Sequence, residues 1–471
     1  AKATLYQPNN YEYAYTYDDQ NHRYFFNTKD FYPFGTNLES TDDLTAFYIN
    51  NKINFDLLSE DDYLDIGYSS SFKERISRLN RYALKRNQYT GGNGFDYDND
   101  LVNPNVDAIY DEHVSADVSF EDRILLINSV YLPADYFDAE VSDANMYAQA
   151  FIKPMDSMEI LFGARQVNFS QVVYQYKEDR VNPGRLMQRI PEELTLNKLY
   201  PSLSLKYKLN NDNHLDFAYS QTYIVPDLRE FTNGAYSHPY DVATVVGNPN
   251  LVNTNIDNYD FKYSHYFSET ENAKVGLFYK YLDKPIEDTM LQSSSLPVYS
   301  FDNSDYATLY GFEFDGRKNF DFIYKSLKDF YISGNFSYTK SDVSLTDEQT
   351  NLYSVNHREL QGLSPIVINV SLSYEVKDRS AVISYNKMGE RIRKVGMIEV
   401  IDDEQFRYPD EVEIPPQLVD IVWIEKFDTG IDLKVKLGNL LNEDTIIKQG
   451  SSITRSYKDG TTYSVALSYK Y

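Results

Sequence analysis

From Tyr463 onward the chain alternates strictly. Tyr463, Val465, Leu467, Tyr469 and Tyr471 fall on one side of an extended strand, and Ser464, Ala466, Ser468 and Lys470 on the other. The same period of two sets Ile366, Ile368, Val370, Leu372 and Tyr374 against Asn369, Ser371, Ser373 and Glu375. It also sets Ile431, Leu433, Val435 and Leu437 against Asp432, Lys434 and Lys436. Near the start, Tyr11, Tyr13, Tyr15 and Tyr17 predict a first strand; Phe47–Phe55 and Leu64–Phe72 predict the next two. Further strands are predicted near 143–152, 158–171, 200–208, 214–222, 257–267, 273–282, 307–315, 329–340, 365–375, 379–387, 417–427, 431–438 and 461–471. No stretch carries a helical period, so the fold class is all-β, with about sixteen strands.

The connections say how these strands are arranged. Short breaks at Ser59–Asp62, Asn210–Asn213, Ser268–Asn272, Val376–Arg379 and Asp428–Gly430 alternate with long polar connections near 173–199, 223–256, 284–306, 341–364, 388–416 and 443–460. An irregular region is expected over Lys73–Ser142, and the link 316–328 is long for a tight turn. In an up-and-down antiparallel barrel all short turns fall on one rim and all long loops on the other. Greek-key sandwiches and propellers predict no such rule. Charged residues on the second face, such as Lys434, Lys436 and Lys470, suit a wide wet or plugged lumen and not a dry sandwich core. The reading is one transmembrane β-barrel domain over 1–471, with short periplasmic turns and long extracellular loops.

Composition sharpens this picture. The chain has 471 residues, with 44 Tyr and 27 Phe against a single Trp, and a ring with a wet hydroxyl suits a water–lipid boundary. A net charge of −26 with no basic run argues against nucleic acid as a partner. Without cysteine there are neither disulfides nor thiolate metal sites. No apolar window is long enough for a transmembrane helix, a statement that leaves barrels untouched. The first residues, Ala1–Tyr6, show no signal peptide.

Several stretches, taken in order, resemble the TonB-dependent outer-membrane receptors in their Bacteroidota form. Leu199-Tyr200-Pro201-Ser202-Leu203 and Leu215-Asp216-Phe217-Ala218-Tyr219-Ser220 are similar to a central strand pair of that family. Pro226-Asp227-Leu228-Arg229-Glu230-Phe231 and Gly247-Asn248-Pro249-Asn250-Leu251 resemble the following loop, and Gly438-Asn439-Leu440-Leu441-Asn442 with Tyr463–Tyr471 the last strands. The resemblance implies that the chain is the C-terminal part of a barrel of about 22 strands, lying in the outer membrane of a Gram-negative bacterium. Such a barrel takes up a scarce nutrient, an iron chelate, a cobalamin or a glycan, driven by the TonB energy-coupling complex. Its surroundings are outer-membrane lipid and lipopolysaccharide, and glycan-importing relatives add a lipoprotein lid. The plug domain and energy-coupling box are not in this chain, and Tyr471 stands where Phe is commoner. A passive porin, or a plugless structural or adhesive barrel, is the alternative.

Candidate chemistry is sparse. Gly91-Gly92-Asn93-Gly94 lacks the strand–helix context of a phosphate loop. Asp96-Tyr97-Asp98-Asn99-Asp100 has oxygen ligands at a calcium-loop spacing, but Leu101 replaces the needed glycine and Asp107 the closing glutamate, leaving an accessory Ca²⁺ as the only candidate metal. The six histidines show no zinc spacing, and the Glu112-His113 pair alone defines no catalytic constellation, so neither an enzyme nor a resident cofactor is expected. Ligand contacts are expected in loop 223–256 from Tyr236, His238 and Tyr240, with Arg229 and Glu230 as contacts or as an ion pair fixing the loop. Arg391, Arg393 and Lys394 offer attraction to an anionic ligand or lipopolysaccharide phosphates, or a balance for nearby acids. Tyr463, Val465, Leu467, Tyr469 and Tyr471 form the closing strand used in assembly.

Overall fold

A computed structural model describes residues 2–12, 15–18, 23–26, 34–86, 125–130, 136–178, 186–237, 244–291, 298–353, 357–401 and 404–469. Sixteen long strands form the wall. They are β1 (Lys2–Glu12), β2 (Phe34–Asn54), β3 (Tyr63–Arg86), β4 (Tyr136–Met155), β5 (Met158–Glu178), β6 (Leu186–Lys208), β7 (Asn213–Ile224) and β8 (Thr254–Tyr266). The series continues with β9 (Asn272–Asp283), β10 (Tyr306–Asn319), β11 (Phe330–Ser344), β12 (Ile366–Val376), β13 (Arg379–Met388), β14 (Leu418–Lys426), β15 (Ile431–Gly438) and β16 (Thr462–Tyr469). Each pairs antiparallel with the next, from β1 through to β16. This is the up-and-down order that the alternating connections predict.

Register gives the two faces their chemistry. Ile160, Leu205, Phe217, Phe261, Leu277, Phe312, Tyr338 and Ile366 are successive cross-strand partners, so one unbroken apolar row crosses eight strands, β5 to β12. Leu277 and Phe312 are 55% and 41% exposed, which water would not tolerate along a whole row and hydrocarbon favours. On the opposite face Glu159, Lys206, Asp216, Lys262, Gly276, Glu313 and Ser337 are likewise consecutive partners. Here Lys262 lies 3.6 Å from Asp216 and Lys206 4.0 Å from Glu159. A charged row of this kind lines a wet interior.

The short turns cluster on one rim. The turn 55–62 is fixed by Asp62, whose carboxylate accepts the amides of Leu58 (2.7 Å), Ser59 (3.0 Å) and Lys153 (2.8 Å). Burial opposes its charge, but these donors prevail and hold its pKa down to about 2. The last strand is described over Thr462–Tyr469, with Tyr469 facing Ile431 at the short-turn rim, and Lys470 and Tyr471 lie outside the described residues.

Four expectations need correction. The first strand is Lys2–Glu12, and Tyr15–Asp18 pairs separately with Arg23–Phe26, because local alternation does not reveal which partner a strand finds. The irregular region 73–142 is partly wall: β3 continues to Arg86 and β4 starts at Tyr136. The long connection 173–199 is likewise mostly strand, since β5 reaches Glu178 and β6 starts at Leu186. A tilted strand crosses the hydrocarbon in about 9–11 residues, so strands of 21 and 23 residues rise well beyond it, where no lipid enforces an alternating pattern. The loop 345–365 contains an α-helix, Asp347–Tyr353, too short to show a period.

Candidate functional site

Toward the long-loop rim the inner face of the wall turns apolar. Phe137 and Ala139 of β4, Val167, Phe169 and Val173 of β5, and Leu194, Leu196 and Tyr200 of β6 form one buried cluster. What covers them is the loop 225–253, through Leu228, Phe231 and Leu251. The loop therefore folds inward over the mouth. A second cluster does the same further round the wall, where Ala307 and Val343 pack with Leu345, Tyr353 and Val395 from loops 345–365 and 389–417.

The family-like motifs act here as clamps. Gly247 runs so close to the carbonyls of Thr232 and Arg229 that a Cβ would sit 2.2 and 2.4 Å from them, which only glycine permits. Asn248 donates its amide to the Glu230 carbonyl (2.6 Å) and its carboxamide to the Phe301 carbonyl (2.9 Å), joining loop 225–253 to loop 284–305. Asn303 answers from the other side, accepting the Val252 amide at 2.9 Å. In the Gly438–Asn442 motif, Asn439 and Asn442 hold φ of 53° and 47°, a left-handed conformation that Asn accepts more readily than most residues. The Asn439 side chain donates to the Gly460 carbonyl at 3.0 Å, pinning the approach to β16.

Joined in this way, the loops form two small sheets. One contains Ala235–Ser237, Thr244–Val246, Val298–Asn303 and Ile286–Leu291; the other contains Arg391–Lys394, Glu411–Ile414, Thr445–Gln449 and Ser452–Tyr457. Between them lies a cavity of about 410 Å³ lined by Glu230, Ile286, Glu287, Asp288, Phe301, Leu360, Gln361, Gly362, Arg391, Ile392, Arg393 and Glu413. This size lies within the range of small-ligand sites, and its lining sets the apolar side chains of Ile286, Phe301, Leu360 and Ile392 among six charged residues.

Most of those charges are already paired. Arg358 grips Glu287 with two hydrogen bonds of 3.0 and 2.8 Å, and both side chains are over nine-tenths buried. Arg391 meets Glu413 at 2.6 Å, Arg393 pairs with Glu411, and Lys394 donates to the Tyr299 hydroxyl at 2.6 Å. The basic triplet thus balances neighbouring acids, the second of the two roles expected for it. Glu230 and Asp288 differ. Burial first, then the charges of Asp227 and Asp288, push the Glu230 carboxyl upward, against the pull of the Asp227 amide that it accepts at 2.8 Å. Asp288, open to the cavity, is also raised, first by partial desolvation and then by Glu287 beside it. Proton uptake at these two carboxyls is therefore easier than at ordinary surface acids.

Of the residues singled out in loop 223–256, Glu230 lines the cavity and Arg229 lies in the same turn. Tyr236 sits on the strand Ala235–Ser237 opposite Val245, while His238 and Tyr240 lie outside the described residues. The calcium-like run Asp96–Asp100, Gly91–Gly94 and the Glu112-His113 pair lie outside them too. Among the described residues no group of three or more acidic or histidine side chains is placed to hold a metal. Glu287, Arg358 and Asn303 escape sequence reading, since each meets its partner across 19 to 71 residues of chain.

Fold and mouth together define an outer-membrane β-barrel whose long loops fold inward around a cavity. Residues 2–396 match the model of the TonB dependent receptor-like β-barrel family, and the chain belongs to that family. The family is one of receptors in the outer membrane of Gram-negative bacteria, not of enzymes, and this chain is an outer-membrane protein. No curated protein sequence matches it. Among solved structures it is similar to the siderophore receptor PiuA from Acinetobacter baumannii (TM-score 0.55, 11% identity, covering 96% of this chain and 57% of that one). It is also similar to the copper transporter OprC (0.58, 14%, 93% and 58%). A third is the pyoverdine receptor FpvA from Pseudomonas aeruginosa (0.51, 13%, 90% and 53%). The chain thus spans little more than half the length of the receptors it matches.

Proposed function

We propose that this chain forms much of the wall and the outer mouth of a TonB-dependent receptor for active uptake of a scarce nutrient, in the class of iron chelates, cobalamins and glycans. The inward fold of loops 225–253, 284–305, 345–365 and 389–417, which leaves a cavity of small-ligand size between two loop sheets, carries this reading. A passive porin works best with an open mouth, and here the inner wall of β4–β6 near the long-loop rim is apolar and covered by loop 225–253. Ligand enters from outside and meets Glu230, Asp288 and the apolar faces of Phe301 and Ile392; Tyr236, His238 and Tyr240 of the same loop add aromatic contact. Energy coupling runs through a plug and a TonB contact supplied by the whole protein. The wall sits among lipid and lipopolysaccharide, and a lipoprotein lid is the partner expected if the nutrient is a glycan.

The test is uptake of labelled iron chelate, cobalamin and oligosaccharide by cells making the full-length protein, with and without the energy-coupling complex. Uptake of one class that needs the complex supports the proposal. Coupling-independent diffusion of small sugars into liposomes holding the protein, with no saturable ligand, sinks it in favour of a porin.

A further inference from the structure

The link between β10 and β11, like the turn 55–62 on the same rim, is too long for a tight turn. It contains two 3₁₀ turns, Phe320–Phe322 and Lys325–Leu327, and it is held firmly. The Asn319 carboxamide accepts the Asp321 amide at 2.6 Å and donates to the Lys328 carbonyl, closing the base of the link. The amides of Ile323 and Tyr324 both donate to the Phe320 carbonyl, at 3.0 and 3.3 Å, and the Leu327 amide to the Tyr324 carbonyl at 2.8 Å. The Glu271 carboxylate of the neighbouring turn accepts the Asn319 amide at 2.8 Å.

All this order buries no side chain of either turn. Phe322, Ile323 and Tyr324 stand 64%, 57% and 72% exposed, side by side on a rigid support. The link hangs from the lipid-facing surface: Phe314 on β10 and its neighbour Val275 on β9 are exposed above it, and Ile332, paired with Lys318, is exposed where β11 leaves it. Lys325 and Lys328 follow the apolar triad on the same exposed link.

We propose that Phe322, Ile323 and Tyr324 are a membrane foot that enters the headgroup region of the periplasmic leaflet, with Lys325 and Lys328 placed to meet lipid phosphates. An apolar cluster beside basic side chains suits that boundary, where such groups settle about 5–10 Å into the interface. A preformed turn loses little entropy on insertion, and the lipid is already in contact with the strands that carry it. The inference does not depend on what the receptor takes up.

The experiment uses the full-length protein with Trp423 and any other tryptophan replaced by Phe, folded into phosphatidylethanolamine–phosphatidylglycerol vesicles. A reporter is placed by Phe322→Trp or, independently, Tyr324→Trp; a control is placed by Asp378→Trp in the tight turn between β12 and β13. Lipid brominated near the headgroup should cut reporter emission by roughly half while sparing the control, as expected for an interfacial depth. Acrylamide, present on both sides, should quench the control more strongly than the reporters. Reporters insensitive to brominated lipid and as open to acrylamide as the control overturn the proposal. So do reporters reached by neither quencher, which would place protein over the triad.

Discussion

Replacing Arg358 by Met strips the partner from a carboxylate that lies under the loop cap. Glu287 and Arg358 side chains are 6% and 7% exposed, and their two hydrogen bonds of 2.8 and 3.0 Å join loop 284–305 to the strand after the Asp347–Tyr353 helix. After Arg358→Met, the hydrogen bond left to the Glu287 carboxylate among the described residues is that from the Ser304 hydroxyl at 3.0 Å. A buried ion left this way costs about 3–5 kcal/mol, or roughly two to three and a half decades in the opening equilibrium. The pair is also imperfect, since the Arg358 Nε is buried without an acceptor. Replacing both residues by apolar ones, Glu287→Leu with Arg358→Met, should therefore restore most of the loss or exceed the native stability. Native-state hydrogen exchange reads this directly at the amides of Gly362 and Ser304, which donate to Ile392 and Pro285 at 2.8 and 2.9 Å. The single variant should lose protection there while the amides of β8–β9 stay slow. A single variant within about 1 kcal/mol of the native protein, or a double variant as weak as the single, would refute the reasoning.

Three other outcomes follow from the same geometry. Leu277→Arg, on the lipid-facing row, should lower folding stability in vesicles by about 2–4 kcal/mol, whereas Glu313→Gln on the wet face should change it little; equal losses would mean the faces are misassigned. Gly247→Ala forces a Cβ to within 2.2 Å of the Thr232 carbonyl. Loop 225–253 should be loosened by about 1–3 kcal/mol or more, seen as faster proteolysis of the loop with the wall intact. The Glu230 carboxyl binds its proton more tightly folded than unfolded, so between the two pKa values the native state carries more protons. Stability of the cap should then fall as pH rises from the ordinary carboxylate range through the raised value, and Glu230→Gln should flatten that slope; a slope unchanged by the substitution excludes Glu230 as its source.

Much of this architecture was legible in the sequence because lipid imposes a rule that is local. A strand between hydrocarbon and water must alternate, so Phe312 and Phe314 against Glu313 and Asp315 already name the faces, and register only aligns them with Leu277 and Val275. The alternation of short and long connections fixed the up-and-down order for the same reason. Where lipid ends, so does the rule. The upper parts of β5 and β6, within 173–199, looked like a long loop, because Val173, Leu194 and Leu196 are apolar for a partner in loop 225–253 and not for the bilayer.

The site shows this boundary most clearly. The family-like motifs around Arg229–Glu230 and Gly247–Leu251 lie in the loop that folds over the mouth, and Glu230 lines the cavity. The motifs themselves turned out to be clamps: Gly247 is needed for close backbone approach, and Asn248 ties one loop to the next. Arg391 and Arg393 read equally well as ligand-attracting or charge-balancing until Glu413 and Glu411 were found beside them. The sequence by itself thus determined the wall, its faces and its rims, because each depends on a residue and its near neighbours in a two-sided solvent. Only the tertiary structure decided which loops fold inward and which charges cancel. Those outcomes depend on contacts such as Glu287 with Arg358, 71 residues apart, for which no local pattern exists.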